Sequence, residues 1–99
     1  MAALEEDEIS LDTRRKRLKF QCWHRGFREI DLILGHFADH HLATMSATEI
    51  GDLEALLCLP DQEIYEWIIG KTPTPEAYDT AILQRIKKLD FLDDTLLRS

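Results

Sequence analysis

The sequence is poor in the residues that punctuate β-structure. It holds only four glycines and three prolines, too few for the many tight turns of a sandwich or barrel. Its two cysteines, Cys22 and Cys58, are far apart and form no CxxC pair. That excludes a disulfide-built scaffold and leaves reduced thiols that behave as small core residues. No apolar run approaches the ~20 residues of a membrane-crossing helix. The start, MAALEEDEISLD, has neither the basic-then-apolar pattern of a secretory signal nor the Arg-rich character of a transit peptide, so a cytoplasmic protein with no membrane contact is expected. A phosphate-binding glycine loop, a nucleophile elbow and the HExxH pattern are all missing as well. These absences favour a binding protein over an enzyme, and no catalytic residue is assigned.

What is present is a helical pattern in one domain's length of chain. Of 99 residues, 44% are hydrophobic, enough for a folded domain with one modest core. Residues 1–11 read as an acidic mobile tail, 12–92 as the helical domain and 93–99 as a C-terminal tail. Asp12 is placed as N-cap of a first helix reaching Trp23, with Leu11, Leu18 and Cys22 as its apolar stripe. Phe27, Ile30, Ile33, Leu34, Phe37, Ala38, His41 and Leu42 follow the spacing of an amphipathic second helix. Gly26 is placed as its cap, and Glu29 as the third-position carboxylate that returns a bond to it. Ser46-Ala47-Thr48-Glu49 is a capping box opening a third helix, with Ile50, Leu53, Leu56 and Leu57 inward and Pro60 at its end. Asp61 is placed as cap of a fourth helix that stops at Gly70. Thr74 and Pro75 are placed as the start of a fifth, with Tyr78, Ile82, Ile86 and Leu89 on one face and Ala81 and Leu92 beside it. The fold class is all-α: a compact five-helix bundle forming a single small domain.

Charge is segregated along the chain. Residues 1–12 carry five acids and no base, residues 13–28 seven bases and no acid, and residues 29–99 five bases and fourteen acids. A basic island in an acidic protein suits a contact with nucleic acid, a contact with an acidic protein patch, or a solvated helix face balanced by its neighbours. Arg14, Arg15, Lys16, Arg17 and Lys19 would suit phosphates. However, the acidic remainder would be repelled and no groove-reading helix follows, so nucleic acid is not the expected partner. His36, His40 and His41 with Asp39 resemble a metal cluster, but one or two ligands from a single helix make a weak site. No metal is expected.

The stretch WHRGFREID, Trp23 to Asp31, sets a glycine between arginines at a helix junction. A missing side chain lets another surface approach, Arg25 can fork onto a carboxylate or carbonyls, and Glu29 adds an acceptor one turn on. The same residues also fit a structural reading, with Gly26 turning the chain, Glu29 capping and Arg25 pairing with Glu29.

The runs RRKRLKFQCWHRGFREIDLIL, LATMSATEIGDLEALL, DQEIYEW and TPTPE occur in that order. From about Arg14 to Leu89 the chain resembles the succinate dehydrogenase assembly factor family. Its bacterial members are called SdhE, and some were earlier described as the antitoxin CptB. The most specific element is an RGxxE motif, here Arg25, Gly26, Phe27, Arg28 and Glu29. The resemblance implies a five-helix, non-enzymatic protein. It would bind the flavoprotein subunit of succinate dehydrogenase, and in some bacteria that of fumarate reductase, and promote covalent attachment of FAD to a client histidine. It implies no cofactor of this chain's own. It makes Arg25, Gly26 and Glu29 the partner-binding residues, with Asp31, Trp23 and Arg28 beside them. Trp23-His24 departs from the basic residues of many relatives, and Lys19 from a common apolar one. A monomer that pairs with its client is expected, with Trp23 as an exposed aromatic in the contact. The alternatives are an antitoxin-type or other interaction regulator, or nucleic-acid binding through residues 14–19.

Overall fold

The computed structural model describes the backbone of residues 2–90 and the side chains of residues 11–90. Five α-helices follow in order: α1 (Ala2–Trp23), α2 (Arg28–His41), α3 (Ala47–Leu57), α4 (Asp61–Ile68) and α5 (Ala81–Lys87). Single 3-10 turns lie at Leu42–Thr44 and Glu76–Tyr78. No strand occurs among the described residues, so the all-α five-helix architecture is as the periodicity implies. None of the helices is long and apolar enough to cross a membrane, among the described residues.

The predicted inward faces of α2 and α3 are the ones buried. Ile30, Ile33, Leu34, Phe37 and Ala38 of α2 meet Ile50, Leu53, Leu56 and Leu57 of α3 in one core with Leu18 and Cys22 of α1. Ile64, Trp67 and Ile68 of α4 and Ile82, Leu83 and Ile86 of α5 close it. Burial pushes the Cys22 thiol up to about 12, so it acts as a small apolar residue. Cys58 is exposed.

Helix ends differ from expectation in instructive ways. Helix α1 runs from Ala2, so Asp12 stands inside it and lies 3.6 Å from Lys16, one turn on, rather than capping. Residues 2–11 lie within α1; residue 1, Leu92 and the C-terminal tail 93–99 lie outside the described residues. The capping box at α3 is formed as predicted: Glu49 N–H donates to Ser46 Oγ and Ser46 N–H to Glu49 Oε1. Helix α3 ends at Leu57, before Pro60; Pro60 takes the N-cap position of α4 and Asp61 its first turn. Helix α4 closes in a Schellman motif, with Lys71 N–H on Glu66 O, Gly70 N–H on Trp67 O and Gly70 left-handed at φ 78°. The fifth helix starts later than TPTPE suggests. Pro75 is extended (ψ 145°), only a 3-10 turn follows, and Thr80 caps α5 by accepting from Leu83 N–H. Thr80 can offer an oxygen to a free helix N–H at a position where the apolar spacing of Ile82, Leu83 and Ile86 already begins.

Two joints lock the bundle. In one, the Trp23 ring lies over Gly35, where a Cβ would overlap the indole. Its Nε1 donates to Asp39 Oδ1 at 3.3 Å, and His36 packs edge-on at 4.9 Å. In the other, Arg85 of α5 donates to Glu49 of α3 at 2.9 Å and to His41 Nδ1 of α2 at 3.1 Å, its guanidinium 5.9 Å over the Phe37 ring. Burial, then the neighbouring Arg85 charge, holds the His41 imidazole below its ordinary value, with Asp90 opposing and His40 adding to the shift.

Gly35→Ala should unseat Trp23 and lower stability by about 1–3 kcal/mol, read by chemical denaturation with a shift in tryptophan emission. The His41 site makes a second prediction. Its folded value is depressed, so its stabilising effect is present above about 6.5, the unfolded value, and is lost as pH falls toward the folded one. The urea midpoint should therefore drop between about pH 7.5 and pH 5.5, and His41→Gln should flatten that drop.

Candidate functional site

Between α1 and α2 the chain turns through residues 24–27, and one carboxylate organises the turn. Asp31 Oδ1 accepts from the backbone N–H of Arg25 at 2.7 Å and of Gly26 at 3.3 Å. Phe27 occupies the N-cap position of α2 in extended conformation, with no side-chain cap bond. Glu29 is therefore the second helical residue, one short of the position from which a carboxylate returns to the cap. The bracing role expected of Glu29 belongs to Asp31. Phe27 packs edge-on against Tyr65 of α4 at 5.2 Å, which ties the junction to the opposite helix.

Arg25 does not pair with Glu29. Its Nε donates to Asp61 Oδ1 at 2.7 Å, and its Nη2 to Leu57 O at 2.7 Å and Leu59 O at 3.4 Å. The Arg25 side chain is only 14% exposed and that of Asp61 22%. The placement suits both helix ends. The guanidinium meets the free carbonyl at the end of α3, and Asp61 stands in the first turn of α4, where negative charge is favoured. Gly26 fits beside this pair: a Cβ there would lie 3.1 Å from Asp61 Oδ2, tighter than ordinary contact. The glycine thus serves first to let the Asp61 carboxylate sit close to the turn.

The six predicted site residues divide into two groups. Gly26, Arg28 and Glu29 are exposed, while Trp23, Arg25 and Asp31 are half-buried. The Glu29 carboxylate makes no hydrogen bond or ion pair with the described residues. Trp23 is not the exposed aromatic that was expected, because Gly35 seats it on α2. The most exposed aromatic ring among the described residues is Phe20, at 65%, stacked 4.1 Å from His24. Sequence reasoning missed Asp61, Tyr65 and Phe20; the DQEIYEW run held the only signal for the first two.

The basic island is partly engaged within the fold, with Lys16, Arg17, Lys19 and Arg28 exposed. Arg14 forks onto Glu54 at 2.7 and 2.9 Å and holds that carboxyl below the usual range. Arg15 donates to Met45 O at 2.8 Å and Leu42 O at 3.4 Å, and Lys19 lies 3.8 Å from Asp39. His36 meets Trp23, His41 meets Arg85 and Phe37, and His40 Nδ1 is 2.9 Å from His36 O with its ring 6.4 Å from that of His41. Among the described residues no three His, Cys, Asp or Glu side chains converge as metal ligands.

With this geometry in place, comparison with known proteins becomes specific. Residues 16–90 match the family described as "flavinator of succinate dehydrogenase". The chain belongs to the succinate dehydrogenase flavinator family. The match takes in the α1–α2 junction, the Arg25–Asp61 pair and α5. Over 79 residues the chain is 42% identical to the FAD assembly factor SdhE of Acetobacter pasteurianus, covering 80% of this chain and 72% of that one. It is 35% identical to the mitochondrial succinate dehydrogenase assembly factor 2 of Dictyostelium discoideum, covering 82% and 58%. It is 40% identical to the mitochondrial assembly factor 2-A of Drosophila yakuba, covering 79% and 49%. The chain thus spans most of the bacterial flavinator-family relative and about half the length of the mitochondrial ones.

Asp31→Ala should cost this family member roughly 0.5–2 kcal/mol, the range of a lost helix cap. Urea denaturation gives the loss, and faster amide exchange at Arg25 and Gly26 locates it.

Proposed function

We propose that this protein binds the flavoprotein subunit of succinate dehydrogenase and promotes covalent attachment of FAD to a histidine of that subunit. The observation that carries the proposal is the exposed edge Gly26–Arg28–Glu29, held on a braced junction in a chain of the flavinator family. Glu29 offers an acceptor, and Gly26 leaves the surface between the helices low. A client surface with complementary donors and acceptors can seat there.

The protein acts as a dedicated chaperone, not as a catalyst. Binding one client conformation more tightly than others populates it. If the favoured conformation sets the isoalloxazine ring and the client histidine in near-attack geometry, attachment accelerates without any group of this chain touching the reacting atoms. FAD stays with the client in this reading, since the helices of the described residues offer no βαβ dinucleotide unit. The same reading covers fumarate reductase as a second client, a monomer that pairs one-to-one with its client, and action in the cytoplasm. Nucleic acid has no part in it; Arg14 and Arg15, two cations of the basic island, are bonded to Glu54 and to main-chain carbonyls.

Expressing the flavoprotein subunit with and without this protein tests the reading, with covalent flavin fluorescence scored on a denaturing gel. Flavin attachment should rise with the protein present. Glu29→Gln should lower the initial rate about 10-fold, the loss of one charge-assisted hydrogen bond, while the melting temperature stays unchanged. Equal flavin in the presence and absence of the wild-type protein would sink the assignment.

A further inference from the structure

We infer that Asp61 is a positioning residue for the client-binding edge and acts through Arg25, which bonds within the fold instead of contacting the client. The inference rests on the proposed function and deepens it. Asp61 lies 36 residues from Arg25 in sequence and outside the RGxxE motif, at the start of a different helix.

Three sets of contacts meet at the junction. The Arg25 side chain is held by Asp61 Oδ1 and by the Leu57 and Leu59 carbonyls. The Arg25 and Gly26 backbone is held by Asp31. The other Asp61 oxygen, Oδ2, is the nearest atom to the site of a missing Gly26 Cβ. Main chain and side chain are therefore fixed together, and the direction in which the chain leaves Gly26 for Arg28 and Glu29 follows. With both sides of the ion pair mostly buried, removing one partner leaves a poorly compensated charge, which favours rearrangement of the turn. A preset edge lowers the ordering cost of association, so losing the brace weakens binding even where Glu29 itself is intact. The length of the arm matters too. Aspartate reaches Arg25 while leaving space beside Gly26, whereas a glutamate carboxylate would be displaced from this position.

The rival arrangement is that the client displaces Asp61 and takes the Arg25 fork for itself. The two give opposite signs, because neutralising Asp61 would then release Arg25 and tighten binding.

The test measures the dissociation constant for the purified flavoprotein subunit by titration calorimetry, at a temperature where circular dichroism shows every variant folded. Asp61→Asn should bind about 10-fold more weakly than wild type. Asp61→Glu, which keeps the charge and so protects the fold, should also lose about 3-fold or more. Glu29→Gln should weaken binding, and Asp61→Asn/Glu29→Gln should bind no more weakly than the worse single variant, because a misplaced Glu29 has little left to lose. A purely structural Asp61 would shift the melting temperature and leave affinity at the folded temperature unchanged. Unchanged or tighter binding by the Asp61 variants, or losses that multiply in the double variant, overturns the inference while leaving the proposed function standing. No binding by wild type overturns both.

Discussion

The Arg25–Asp61 pair is the constraint on which the rest of the molecule depends. It joins the end of α1, the end of α3 and the start of α4 at one point, and each partner meets the helix end whose dipole favours it. A guanidinium with several donors in a planar fork can satisfy a carboxylate and main-chain carbonyls at once, which a lysine ammonium does less well. Gly26 follows from the pair, because the carboxylate needs the room. So does the exposure of Glu29, which is left without a partner among the described residues once Arg25 is committed to Asp61 and Asp31 has taken over the turn's N–H groups.

Around this point the bundle is closed by polar contacts that each serve two elements. Glu49 caps α3 through Ser46 and anchors α5 through Arg85. Arg14 and Arg15 tie α1 to α3 and to the turn after α2. A domain of this size buries a modest core, and its charged residues do much of the work of setting how short helices meet. Part of the segregated charge of the sequence is thus used inside the fold: Glu54 of α3 takes Arg14 and Asp61 of α4 takes Arg25, while Lys16, Arg17, Lys19 and Arg28 stay exposed.

Much of the fold was legible in the sequence because it rests on local patterns. The spacing of Ile30, Ile33, Leu34 and Phe37 specifies a buried face wherever the helix is placed. The Ser46–Glu49 capping box closes within four residues, and Gly70 supplies the left-handed residue a Schellman end needs. The errors fell where two local signals compete. Thr74-Pro75 and Thr80 are both able to start a helix, and the side chains that pack below decide between them. Asp31 and Glu29 are both able to brace the α2 start, and the path of the turn gives that role to Asp31.

The sequence by itself determined the fold class, the inward faces of α2 and α3 and the family, since periodicity, capping and motif order are all encoded within short windows. Only the tertiary structure decided that Arg25 points inward to Asp61 and that Trp23, not Phe20, is seated on Gly35. Those outcomes depend on pairings across 12 to 36 residues of sequence. A charge or an aromatic ring carries no local mark of which distant partner will take it out of water.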